Sequence, residues 1–237
     1  MNNMNNMNMM NMMNNMNNMN NMNMMNNNMG MMNNMNMMNP MIMMNNIIKQ
    51  QMNMINQMNQ MNMVNQATQA MALTRLKKEF SLCSQDIELK GLGCQFILEN
   101  NNYYIWRVTL KGPKETPYEG GTFTIRITFP FNYPKSGPEF RFLNLIYHLN
   151  VDFNNQNELG HICLNYLNEW KSTGKVVEKP GYGVKQALID IFCLFYNQNI
   201  KSAYDINMAA EYQSNMSNFN SKAKMYTQKY AQQAMLN

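Results

Sequence analysis

Three runs of alternating side chains constrain this chain more than any other feature. Cys94, Phe96 and Leu98 alternate with Gln95, Ile97 and Glu99. Tyr104, Trp106, Val108 and Leu110 alternate with Ile105, Arg107 and Thr109, and Phe123, Ile125, Ile127 and Phe129 alternate with Thr122, Thr124, Arg126 and Thr128. A period of two marks strands, and the third run predicts a core face opposite a face that meets water. A fourth short strand is expected at Glu139–Leu143. Strands in such close succession leave no room for crossover helices and imply an antiparallel meander. Its longest loop, 112–121, is marked by Gly112-Pro113, Pro117 and Gly120-Gly121.

Helical spacing flanks these strands. Met71–Phe80 places Leu73, Leu76 and Phe80 on one face, with Arg75, Lys77 and Lys78 away from it. Near the C-terminus, Val184, Ala187, Leu188, Ile191, Leu194 and Phe195 form one apolar face. Ala209, Tyr212, Met216, Phe219, Ala223, Tyr226 and Tyr230 form another, read as core packing and interrupted at Ser217 and Asn218. The order of one helix, four strands and then helices is α+β.

Residues 1–66 stand apart. Within the first 65 residues lie 26 of the 31 Met, with one charge, Lys49, one Gly and one Pro. No apolar period survives there, so the tract reads as a low-complexity tail without regular structure. The Met are too diluted by Asn for a membrane span, and a charged start with an apolar signal core is missing. Residues 67–237 have ordinary composition and suffice for one domain. They carry 18 of the 19 basic and all 14 acidic residues. So mild a positive charge, with no basic stripe, does not suggest a nucleic-acid binder. Cys83, Cys94, Cys163 and Cys193 are well separated. With no Cys-x-x-Cys, neither a zinc site nor a disulfide framework is expected, and no cofactor is called for. A reducing cytosol or nucleus is the expected compartment.

The stretch His148-Leu-Asn150 followed by Gly160-His-Ile-Cys-Leu164 resembles the active site of ubiquitin-conjugating enzymes, in which His-Pro-Asn precedes Gly-x-x-Cys-Leu. The likeness runs from about Met71 to Ala231. It includes Met71-Ala-Leu with Arg75, Trp106, Gly112-Pro113, Pro117-Tyr118, Gly120-Gly121, Phe129-Pro130, Tyr133-Pro134, Trp170 and Tyr226-Thr-Gln-Lys-Tyr-Ala231. The resemblance implies an N-terminal helix, a four-stranded antiparallel meander, an active-site loop and C-terminal helices. Cys163 would carry ubiquitin as a thioester. Asn150 would donate to the oxyanion when an amine attacks, and Ser202 would orient the incoming lysine. The activating enzyme would dock on the helix with Arg75, Lys77 and Lys78, and a ligase on the loops with Lys135 and Ser172.

The departures from the pattern are specific. Leu149 replaces the family's Pro, which relaxes φ and restores an N–H, so Asn150 is expected to be less well held and Pro at 149 to tighten the turn. The Asn-to-Cys spacing is lengthened through Asn154–Glu158, and extra residues lie between Trp170 and the next helix, within Ser172–Gly183. His161, two residues before Cys163, reads as a surface loop residue. Three other readings stand beside the ubiquitin one. Cys163-Leu-Asn165 is similar to the neddylation branch, which implies another ubiquitin-like modifier. A binding module that keeps the fold without catalysis is the second, although Cys163 argues against it. A cysteine protease is the third, and it lacks a His partner across a cleft.

Overall fold

The computed structural model describes residues 40–152, 160–163 and 182–234. The chain divides into two units, Met1–Asn65 and Gln66–Asn237. Among the described residues there are five α-helices and one four-stranded sheet, in the order α1 (Pro40–Gln85), α2 (Ile87–Gly91), β1 (Phe96–Leu98), β2 (Ile105–Lys111), β3 (Thr122–Thr128), β4 (Glu139–Phe142), α3 (Tyr182–Leu194), α4 (Ile206–Ser214) and α5 (Met216–Tyr230). The sheet is an antiparallel meander in sequence order.

The register explains why the alternation was so clean. Trp106 pairs with Ile127, Val108 with Ile125 and Leu110 with Phe123. Ile125 then pairs with Phe142, and Ile127 with Phe140. Paired residues share a face, so these buried side chains form one apolar surface. Each contributes about 1.5–3 kcal/mol by leaving water. Helix α1 meets that surface through Phe80, whose ring lies 5.1 Å from Trp106. Just past α3, Phe195 lies 5.0 Å from both Tyr118 and Phe123. The apolar face of α3 is buried at Val184, Ala187, Leu188, Ile191 and Leu194.

Several expectations need correction. The second face of β3 does not wholly meet water: Thr122 and Thr124 are buried. Residues 230 and 231 cover that end, where Thr122 N–H donates to Ala231 O at 2.7 Å and Asn144 links Thr124 N–H to Tyr230 O. Cys94 precedes β1 rather than belonging to it. The buried stripe of α1 is Ala72, Leu76, Glu79 and Cys83, with Leu73 and Phe80 only half-buried. The C-terminal apolar repeat is not one helix. Asn215, at φ −147° and ψ 64°, ends α4 and caps α5 by accepting from Asn218 N–H, which leaves Met216 exposed.

The largest difference concerns residues 40–65, which are helical although no apolar period marks them. Periodicity reports burial of one face, and this segment buries almost none: Met41, Met52, Met58 and Met63 are all exposed. Met and Gln favour helix intrinsically, and Pro40 occupies the first helical position, where its missing N–H costs nothing. No helix among the described residues is long and apolar enough to cross a membrane. Nor do those residues contain a cluster of three His, Cys, Asp or Glu side chains able to hold a metal.

Candidate active site

The segment bearing Cys163 is held by two isolated bridges. His161 bridges Arg141 and Ile162 bridges Val151, both antiparallel. Its turn depends on Gly160, which has φ +78° and lies so close to the sheet that a Cβ would sit 2.0 Å from Phe142 O. That close approach lets Phe142 N–H donate to Gly160 O at 2.8 Å. Only glycine meets both demands. Three residues on, Cys163 N–H donates to Asn150 O at 2.9 Å and Cys163 is half-buried.

The tripeptide is gripped from three sides. His148 is buried, its Nδ1 accepting from Asn150 N–H at 3.0 Å and its Nε2 lying 3.0 Å from Leu194 O. That pattern requires a neutral ring protonated at Nε2, and burial pulls its pKa down to about 4. The folded value lies below the unfolded one near 6.5, so the unfolded chain takes up this proton first. Stability is therefore full above pH 6.5 and is lost as pH falls toward 4, by about 1.4 kcal/mol per pH unit from this group. Urea midpoints between pH 7 and pH 4.5 are expected to show this slope, and His148→Asn is expected to lose about one proton's worth of it.

Asn150 is fully buried. Its Nδ2 donates to Asn199 O at 2.7 Å and Ser202 O at 3.0 Å, and its Oδ1 accepts from Asn199 N–H at 2.8 Å. Both amide hydrogens are thus engaged with the loop after α3, which includes a turn of 3-10 helix at Ile200–Ser202. The expectation that Leu149 loosens Asn150 is overturned. Leu149 is fully buried; its N–H donates to Gln198 Oε1 at 2.8 Å and its carbonyl accepts from Tyr204 N–H at 3.0 Å. The restored N–H is used as an anchor.

Ser202 meets the site through its carbonyl, while its hydroxyl accepts from Asn199 Nδ2 at 3.2 Å. His161 is not a surface residue. It is buried, and its Nδ1 is hydrogen-bonded to the Tyr204 hydroxyl. Sequence reasoning missed Gln198, Asn199 and Tyr204, which lie about 50 residues from the tripeptide and carry no local signal. Trp170, Ser172 and the insertions at 154–158 and 172–181 lie outside the described residues.

The other thiols separate by environment. Burial, aided by nearby acidic groups, pushes Cys83 and Cys94 up to about 12. A thiolate is the attacking form of cysteine, so these two are inert at neutral pH. Cys193 is exposed on α3, away from the tripeptide in sequence.

The family model described as ubiquitin-conjugating enzyme matches residues 75–227. Among solved structures, the E2 domain of a Toxoplasma gondii ubiquitin conjugating enzyme is 29% identical, with a TM-score of 0.54, covering 67% of this chain and 97% of that one. A Plasmodium yoelii protein assigned as a ubiquitin conjugating enzyme is likewise 29% identical, with a TM-score of 0.57, covering 68% of this chain and 96% of that one. Together with the meander and the packing around the tripeptide, the match across residues 75–227 makes this chain a member of the ubiquitin-conjugating enzyme family.

Proposed function

We infer that the chain accepts ubiquitin from an activating enzyme as a thioester on Cys163 and passes it to a substrate lysine with a ligase. The observation that supports this reading is the bond from Cys163 N–H to Asn150 O, which joins the main chain of the half-buried Cys163 to Asn150 and so to the loop that holds it. The sulfur attacks the modifier's thioester carbonyl, a new S–C bond forms, and the activating enzyme's thiol departs with the proton. Such exchange has little intrinsic barrier, so positioning does most of the work. In the second step an amine attacks the Cys163 thioester. The loop holding Asn199 and Ser202 is where that amine would be oriented, and Asn150 would serve as the oxyanion donor by releasing one of its two carbonyl partners.

Partners follow from exposed charge. Arg75 is tied to the buried Glu79 at 2.6 Å, so in the stretch Met71–Phe80 the exposed Lys77 and Lys78 present positive charge to an activating enzyme. The exposed Lys135 loop is the proposed ligase contact. A thiol that works in the reduced state suits the cytosol or nucleus.

Incubating the full chain with purified activating enzymes and their modifiers tests the assignment. A reductant-sensitive adduct with ubiquitin supports it. An adduct formed only with a neddylation-type modifier would move the chain to that branch, and no adduct with any modifier would leave a binding module. The Met/Asn tract offers no thiol, imidazole or acid to the chemistry. Charging of the full chain and of residues 66–237 is therefore expected to agree within about twofold, a margin set by a tract without preorganised donors. A tenfold loss on truncation would show that the tract docks on the activating enzyme.

A further inference from the structure

We propose that Gln198 is a positioning residue of this active site, bracing the Leu149 N–H against the Tyr118 hydroxyl. The proposal rests on the thioester reading above. Leu149 N–H can only donate, so the Gln198 carbonyl oxygen must face it, at 2.8 Å. The amide nitrogen then faces the other way and donates to the Tyr118 hydroxyl oxygen at 2.9 Å. Tyr118 spends its own hydrogen on Tyr147 O at 2.9 Å. Each of these three bonds runs from a hydrogen that must be given to an oxygen able to accept it.

The relay ties the tripeptide to the buried aromatic core. Tyr118 is fully buried and its ring packs against Phe195, Phe123 and His148. The next residue, Asn199, holds Asn150 by two hydrogen bonds between its backbone and the Asn150 amide. Two consecutive residues of the loop thus grip two consecutive residues of the tripeptide, and Tyr204 N–H closes the clamp on Leu149 O. A slip of one residue would break all of these bonds. Asn150 O in turn receives Cys163 N–H, so the brace sets the thiol and the amine-side loop in one register.

The brace depends on the residue that stands at position 149 here, Leu149. A proline at position 149, as in the pattern this stretch resembles, has no N–H to offer. Leu149 supplies the donor and Gln198 the acceptor, and either residue alone would leave a polar group poorly matched, Leu149 N–H being buried.

Five full-length proteins test this: wild type, Gln198→Leu, Leu149→Pro, the double variant, and Tyr118→Phe as a milder second probe of the same relay. Two readouts are taken. Amide hydrogen exchange in peptides 148–151 and 199–204 reads the brace without any chemistry, with β3 as the reference. The ratio of lysine discharge to charging reads its effect on transfer. Gln198→Leu is expected to raise exchange in both peptides and to lower the ratio, each about tenfold, the scale of one lost hydrogen bond of about 1.4 kcal/mol. Tyr118→Phe should shift both in the same direction by about threefold. The double variant should be no worse than Leu149→Pro, because the N–H that Gln198 serves is already gone. Additive losses in the double variant, or a ratio unmoved by Gln198→Leu and Tyr118→Phe while stability falls, would overturn the proposal. If wild type carries no thioester, the functional reading fails, and exchange in Gln198→Leu and Tyr118→Phe still decides the brace.

Discussion

Asn150→Ala is expected to slow discharge to free lysine by roughly 10²-fold, the usual scale for one oxyanion donor. It is also expected to lower stability by about 2–4 kcal/mol, because three hydrogen bonds of a fully buried amide vanish and leave Asn199 N–H, Asn199 O and Ser202 O without that partner. The two effects discriminate between roles. A donor used only on the oxyanion would slow discharge without a change in the urea midpoint. A group that only anchors the loop would lower the midpoint and restore discharge when the loop is stabilised by cooling. The geometry predicts losses in both, since the hydrogens that would reach an oxyanion are the ones that hold residues 199 and 202. Discharge at saturating lysine and a urea titration, on the same preparation, check this.

Leu149→Pro belongs to the same argument. From the sequence, restoring the family's proline either tightens the Asn150 turn and speeds transfer or strains a turn that the longer Asn154–Glu158 loop already holds. The hydrogen bond from Leu149 N–H to Gln198 favours the second outcome, a loss. Proline would delete the N–H given to Gln198 and change a fully buried side chain. Slower discharge than wild type is the expected result.

What was legible in the sequence is what depends on neighbours along the chain. The alternation in 104–110 and 122–129 fixed which face of β2 and β3 is apolar, and the pairing of Trp106 with Ile127 follows from it. Gly160 and Cys163 were legible as a pair through the resemblance to the Gly-x-x-Cys-Leu pattern, and the close approach to Phe142 O supplies the physical reason for the glycine. Illegible were features made by distant segments. Thr122 and Thr124 are buried because residues 230–231 return to cover them, and His161 is buried where Tyr204 reaches it. The meaning of Leu149 could not be read locally either, since its partner stands at position 198. The helix over 40–65 was missed for another reason: an exposed helix leaves no apolar period.

The assignment of Cys163 carries the largest effect, because it is all or none. Cys83 and Cys94 are silenced by burial, so the plausible thiols among the four are Cys163 and Cys193. A serine hydroxyl at 163 would form an ester in place of a thioester, and an ester resists thiol reductants. The decisive measurement is charging of wild type, Cys163→Ser, Cys163→Ala and Cys193→Ala by activating enzyme, ATP and modifier, each resolved with and without reductant. The account predicts a reductant-sensitive adduct on wild type and Cys193→Ala, a reductant-stable adduct on Cys163→Ser, and none on Cys163→Ala. Normal charging of Cys163→Ala would contradict it.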